Sequence, residues 1–286
     1  STGTGRVTCG FFLNSAVYVF SSTHDTLGAQ CPPRADMSKG YVWPLYDYDI
    51  YRVVDYRATY GPGDGPHPDT LPNYRISKLV DSPGYDAEAT IDWHNLDESS
   101  ITGAHWMYFT STRDNDIEIY RTRNDTGVVE RLTDSFGYDG GPFISYDGST
   151  VVFRRQVFEN DAERAEFSEL LAQKLVRPNR MELWTMNSDG TNQRQLTSAG
   201  GANFAPFLHP DNETVIFCSN MADPNGRTFE LYTIPLAGGE IEQVTFGGEF
   251  DGFPMFSPDG GYIAWCSNRG GSRERETNVF VAEWVP

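Results

Sequence analysis

The chain has 286 residues, 14% of them aromatic and 38% hydrophobic, so it can bury the core of one large domain and is not a disordered segment. Its 40 acidic residues against 22 basic ones leave a formal charge of -18 at pH 7, which excludes nucleic acid and anionic membrane as natural partners, since both draw Lys and Arg. No run approaches the ~20 apolar residues of a membrane span, and four cysteines are too few for a disulfide scaffold.

The first unit of the chain starts near Val7, and its third strand is marked by Asp49-Ile50-Tyr51. A segment rich in Pro, Gly and aromatics, 25–46, is inserted before that strand, and the Gly- and Pro-rich stretch 61–72 reads as an exposed loop. The phrase Leu79-Val80-Asp81-Ser82-Pro83-Gly84-Tyr85-Asp86 then ends one unit and opens the next. It returns as Leu132-Thr133-Asp134-Ser135-Phe136-Gly137-Tyr138-Asp139, with looser copies over 196–203 and 244–251. Five units therefore begin near Val7, Asp86, Asp139, Asn203 and Asp251. Such self-similarity is the mark of a repeat architecture.

Each unit follows one grammar. A turn ending in an acid or amide leads into a short apolar strand, such as Gly141-Pro142-Phe143-Ile144 or Phe253-Pro254-Met255-Phe256. A hairpin follows at Asp147-Gly148, Pro210-Asp211-Asn212 or Pro258-Asp259-Gly260, where the turn needs a positive or preset φ. A β-rich second strand comes next, as in Val151-Val152-Phe153 and Val215-Ile216-Phe217. The third strand opens as Glu118-Ile119-Tyr120, Glu182-Leu183-Trp184 or Glu230-Leu231-Tyr232, and the fourth ends on Leu-Thr or Val-Thr. Four short strands that cannot bury their faces alone make a propeller blade, so the fold class is all-β: a single β-propeller domain over 1–286 with four-stranded antiparallel blades.

A second insertion, 155–180, lies between the second and third strands of its unit. Phe167, Leu170, Leu171 and Leu175 recur there at helical spacing, predicting a helix over 161–175, capped by Asn160 or Asp161 and stopped by Pro178. The last unit ends after its third strand at Val281-Ala282-Glu283-Trp284, while 1–5 align with 245–249. The expectation is that residues upstream of Ser1 supply the outer strand, or that the open edge pairs with another molecule in self-assembly.

These motifs resemble the TolB-like β-propeller family. The resemblance rests on the repeated Pro-Asp-Gly hairpins, the Ser267-Asn268-Arg269 after a second strand, the Glu-Leu-Tyr third strand and the closing Leu-Thr, and it covers essentially the whole chain. Phrases such as Tyr138-Asp139-Gly140-Gly141 are most similar to periplasmic or secreted members. The resemblance implies six blades in an intact protein, and protein binding or scaffolding more than catalysis.

In a propeller, the start of the inner strand and the end of the second strand share one face, which places two sets of residues around one mouth. The first set is Asp86, Glu88, Asp139, Asn203 and Asp251; the second is His24, Arg113, Arg154, Asn220, Asn268 and Arg269. Such a ring suits a polar peptide, a sugar or a bound cation. The competing reading is structural: the acids cap turns and Arg113 pairs with Glu118 within its own hairpin. Cys9 and Cys31 fall on the same face, so a disulfide between them is expected, whereas Cys218 and Cys266 read as buried free thiols. The sequons at Asn124 and Asn212 fall in hairpin turns that would tolerate a glycan.

No Gly-x-Ser-x-Gly elbow and no His-Glu-x-x-His helix is present, so no catalytic residue and no cofactor is assigned. The expected function is an extracytoplasmic, non-catalytic propeller that binds a protein or an extracellular polymer. The alternative is a polysaccharide-lyase-like enzyme or a peptidase-associated gating domain working through the central mouth.

Overall fold

The repeated strand grammar builds five antiparallel sheets in chain order, each meandering from an inner to an outer strand. The computed structural model describes residues 5–13, 16–25, 31, 32, 36, 38, 40–55, 74–92, 94, 105–248, 250–273 and 276–285; the loop expected at 61–72 lies outside them. The first blade is β1 (Val7–Phe12), β2 (Val17–Ser22), β4 (Asp49–Asp55) and β5 (Tyr74–Val80), with β3 (Trp43–Pro44) standing apart from it. The second is β6 (Asp86–Ile91), β7 (Trp106–Ser111), β8 (Glu118–Arg123) and β9 (Val129–Arg131). The third is β10 (Asp139–Ile144), β11 (Thr150–Gln156), β13 (Met181–Asn187) and β14 (Arg194–Gln195), with β12 (Leu175–Val176) outside the sheet. The fourth is β15 (Asn203–Leu208), β16 (Thr214–Ser219), β17 (Glu230–Pro235) and β18 (Glu242–Gln243); the fifth has three strands, β19 (Asp251–Phe256), β20 (Tyr262–Ser267) and β21 (Asn278–Glu283).

Each inner strand packs against the first three strands of the blade before it: β6 on the first blade, β10 on the second, β15 on the third and β19 on the fourth. This is the radial stacking of a propeller. Strand alternation puts Val17, Val19, Ile50, Phe109, Val152, Phe217 and Leu231 into one continuous core between blades. Low on the axis, Phe143 stacks 4.1 Å from Phe207 and 6.2 Å from Phe11, which reaches it from the far side of the second blade.

The Glu of the third strand and the Thr that closes the fourth interlock. Thr133 Oγ1 donates to Glu118 Oε2 at 2.5 Å and accepts the Ile119 N–H at 2.9 Å. Thr197 does the same with Glu182 at 2.6 Å and Leu183 at 2.8 Å, and Thr245 with Glu230 at 2.5 Å and Leu231 at 2.9 Å. The motif is thus a clasp holding the outermost strand. Burial pushes the Glu118 carboxyl up to about 7, against the pull of Thr133 and Arg131.

Three expectations need correction. The helix α1 spans Asp161–Leu171, not 161–175. Asn160 caps it, its side chain accepting the Glu163 N–H at 3.0 Å. Its end is set by Lys174, which turns into the left-handed region at φ 55°, so that Leu175 starts β12 and Pro178 plays no part. Cys9 and Cys31 are free thiols, not a disulfide: Cys9 Sγ lies 3.2 Å from Thr8 Oγ1, and Cys31 donates to the Gly5 carbonyl at 3.2 Å. Cys218 is buried and free as expected, but Cys266 is only half-buried, because its face of the fifth sheet is covered by no further blade among the described residues.

Candidate functional site

One backbone device recurs at the third residue of every inner strand. Cys9, Glu88, Gly141, Ala205 and Phe253 all have φ between 48° and 59°. Each lies in a register break between inner and second strand, a β-bulge that turns this position out of the pleat. The five positions form one level of the central channel. Four of them are not glycine, so most of the bulges leave no trace in composition.

In the third blade the position is Gly141, and a neighbour uses the space. A Cβ there would overlap Arg154 Nη1. Arg154, 4% exposed, donates to Glu88 Oε1 at 2.5 Å and to the Tyr138 hydroxyl. Glu88 Oε2 accepts from Thr110 Oγ1 at 2.8 Å, the Gly141 N–H at 2.9 Å and the Tyr138 hydroxyl at 3.2 Å. Burial alone would lower the Arg154 pKa, but Glu88 and Tyr138 beside it hold it above its usual value. Cys9, at the equivalent position of the first blade, is exposed, yet desolvation and the nearby Glu88 carboxylate push its thiol up to about 11.

A lid lies over this level. β3, from the first insertion, pairs antiparallel with β12, from the second, through Leu175↔Pro44 and Val176↔Trp43. Trp43 meets Phe204 of the fourth blade edge-on at 5.7 Å and stands 5.7 Å from the Arg154 guanidinium. The two insertions, from blades one and three, therefore join across the mouth. Lys174 ties them further with an ion pair to Asp47 at 2.6 Å.

Beside the lid is an open cleft of ≈ 670 Å³. It is lined by apolar Leu45, Pro83, Tyr85, Phe136, Phe167 and Leu171 and by polar Asp47, Asn115, Asp116 and Lys174. Phe136 is 43% exposed while packing 5.4 Å from Phe158 and 5.4 Å from Phe167 of α1. Burial raises the Asp116 pKa even though the Gly137 and Ile117 N–H groups donate to its carboxylate.

The residues expected at the mouth fall into distinct places. Asp86 binds Arg113 at 3.0 Å, and Asp251 binds Arg269; both acids are buried at the strand ends. Arg113 thus pairs with Asp86 rather than with Glu118, whose cation is Arg131 at 2.7 Å. Asp139 takes Arg155 at 2.6 Å, leaving the adjacent Arg154 to Glu88. Burial still pushes Asp139 up to about 6. Asn203 accepts from Ser219 at 2.5 Å and donates to the Met181 carbonyl at 2.8 Å. Asn220 and Asn268 accept the N–H groups of Ala202 at 2.7 Å and Phe250 at 2.9 Å, fixing the connections between blades. His24 packs on Tyr51 at 4.4 Å with Nδ1 2.8 Å from Ser22 Oγ.

Of the expected residues, only Glu88 and Arg154 are brought together with the channel position. Among the described residues, no three His, Cys, Asp or Glu side chains are placed to hold a metal. The sequons lie in hairpins at the opposite end. Asn124 Oδ1 accepts the His105 N–H at 3.0 Å, and Asn212 Oδ1 accepts the Asp147 N–H at 3.3 Å.

Fold and site define a β-propeller with a lid across one mouth and an open cleft at the lid's edge. The fold is that of the TolB-like β-propellers. TolB from Acinetobacter baumannii superposes with a TM-score of 0.56 at 17% identity, over 85% of this chain and 49% of that one. A chain of the nidogen/laminin complex gives 0.50 at 12% identity, over 83% and 76% of the two chains. Hydrazine synthase from Kuenenia stuttgartiensis gives 0.58 at 11% identity, over 96% of this chain and 36% of that one. In sequence, the uncharacterized protein Atu1656 of Agrobacterium fabrum is 31% identical over 112 residues. That match takes in 39% of this chain and 28% of the relative's length. No protein-family model matches the chain. No helix among the described residues is long and apolar enough to cross a membrane.

Proposed function

We propose that this chain is a non-catalytic, protein-binding β-propeller whose binding site is the cleft beside the lid. The observation that carries the reading is a contrast between mouth and cleft. At the mouth, Asp86, Glu88, Asp139 and Asp251 are each engaged by an arginine, and Trp43 lies over the channel. The pairs of Asp86, Asp139 and Asp251 sit at the strand ends where the acids are buried, so they serve the joints between strands and blades. The cleft instead combines a largely apolar lining, a few charged and amide side chains and an exposed phenylalanine on the propeller scaffold, a composition suited to docking a protein. The resemblance to periplasmic and secreted TolB-like proteins supports an extracytoplasmic setting, and the charge of -18 favours a partner surface bearing cations.

The test is capture of partners by immobilised wild-type chain and by a Phe136→Asp variant from an extracytoplasmic extract of the source cell. A protein retained by the wild type and lost with Phe136→Asp supports the reading. Equal retention by both places binding elsewhere and removes the cleft.

A further inference from the structure

Four arginines of this chain are held in one way, over an aromatic ring and against a carboxylate. Arg113 pairs with Asp86 at 3.0 Å, its guanidinium 5.0 Å from Phe109 and 4.8 Å from Tyr120. Arg155 pairs with Asp139 at 2.6 Å and stands 5.3 Å from Phe153 and 4.4 Å from Trp184. Arg154 pairs with Glu88 and lies 4.6 Å from Tyr138. Arg269 pairs with Asp251 and stands 5.7 Å from both Trp265 and Phe280. The arrangement joins a charge-assisted hydrogen bond to stacking on a ring, which suits a planar guanidinium better than an ammonium.

The cleft brings together a carboxylate and a ring of the same kind. Asp116 and Phe136 both line it. They are neighbours, since Asp116 Oδ2 accepts the N–H of Gly137, the residue after Phe136, at 3.1 Å. Asp116 Oδ1 accepts the Ile117 N–H at 2.8 Å. A carboxylate has room for about four hydrogen bonds, so both oxygens keep an acceptor site. Among the described residues no cation pairs with Asp116. Arg131 is engaged by Glu118 at 2.7 Å and Asp114 at 3.7 Å, and Lys174 by Asp47 at 2.6 Å. Phe136 is 43% exposed, and the Arg164 guanidinium of α1 stands 5.2 Å from it, so the ring already receives a guanidinium within this chain.

We propose that the cleft receives an arginine side chain of the protein partner, its guanidinium on the Asp116 carboxylate and along the Phe136 ring, with an apolar neighbour of that arginine against Leu45 and Leu171. Charge complementarity commits the site to a cation. Of the charged side chains lining the cleft, Asp47 and Lys174 neutralise each other, which leaves Asp116. Burial raises the Asp116 pKa, and a cation brought beside the carboxylate offsets that cost. The inference rests on the cleft being the docking site and names the chemistry that it docks. A cleft that binds without regard to charge refutes the inference and leaves the docking reading intact.

The test titrates the whole 286-residue chain, isotopically labelled for NMR, with the capped peptide acetyl-Leu-Arg-Leu-amide. The amides of Ile117 and Gly137, which bond Asp116, report on the cleft, and the amide of Asn212 in a hairpin at the opposite end is the control. Saturable shifts at 117 and 137, with none at 212, are expected. The same peptide with citrulline for arginine keeps the shape and loses the charge; it should bind roughly tenfold more weakly, the loss of a hydrogen-bonded charge. Asp116→Asn should bind the two peptides alike. Equal binding of the two by wild type overturns the arginine assignment, as does a lysine peptide that binds as tightly as the arginine one. Discrimination that persists in Asp116→Asn also overturns it, and so do shifts absent from the cleft amides. The peptides on the wild type decide the matter even if Asp116→Asn does not fold.

Discussion

Replacing Thr133 by valine keeps the shape of the side chain and removes only its hydroxyl. Thr133 is 2% exposed. The change deletes the 2.5 Å bond to Glu118 and strips the Ile119 N–H of its 2.9 Å acceptor. A hydrogen bond to a carboxylate is worth about 1.5–3 kcal/mol, and a buried N–H left unpaired costs about 1–3 kcal/mol. With partial relaxation, the expected destabilisation is about 3 kcal/mol. Thr197→Val should cost the same, because Thr197 is also 2% exposed and its bonds are 2.6 and 2.8 Å. Thr245→Val removes equivalent bonds at a half-buried position, where water can replace the hydroxyl, so about 1 kcal/mol is expected. Urea unfolding followed by tryptophan fluorescence gives the three shifts side by side. The reasoning is refuted if Thr133→Val costs less than about 0.5 kcal/mol, or if Thr245→Val costs as much as the other two.

Glu88→Ala leaves the Arg154 guanidinium buried without its carboxylate and should lower stability by roughly 3–5 kcal/mol; adding Arg154→Met should restore most of the loss in a thermal melt, and no restoration would mean that the pair is not the unit of stability. Burial holds the Asp139 carboxyl near 6 against an ordinary value of 3.8, so its native pKa is raised. A raised acid binds more protons in the native than in the unfolded state, so its contribution is greatest below 3.8 and declines as pH rises through 6. The stability of wild type relative to Asp139→Asn should therefore fall by roughly 2–3 kcal/mol between pH 4 and pH 7, and a gap that stays constant or widens contradicts this environment. Thiol titration of native protein should modify Cys31 promptly and Cys9 slowly, because the Cys9 thiol is pushed up to about 11, and should leave buried Cys218, pushed up to about 12, unmodified until the protein unfolds. Rapid labelling of Cys218 would contradict its burial.

The blade plan was legible because its signals are local. Asp147-Gly148 and Asp259-Gly260 meet the positive-φ demand of a hairpin within two residues, with Gly148 at 71° and Gly260 at 73°. The Glu and Thr of the clasp are fixed by blade geometry, so they recur in step. What depends on distant contacts was not legible. The ribbon of β3 and β12 is two residues long on each side and joins two insertions far apart in the chain. Leu175 continues the helical spacing but belongs to that ribbon. The adjacent Arg154 and Arg155 are indistinguishable in sequence, yet strand alternation sends one to Glu88 in the channel and the other to Asp139. Trp43, Tyr138, Phe136 and Lys174 gave no signal as site residues, because each acquires its role only when the lid closes over blades two to four.

The most direct measurement of the central claim is site-specific photo-crosslinking in the source cell, with a photoreactive residue at Phe136 in the cleft or, as a control, at Asp211 in a hairpin at the opposite end. Protein binding through the cleft predicts a discrete crosslinked adduct from position 136 and none from position 211. Adducts of equal intensity from both positions, or from position 211 alone, would contradict it.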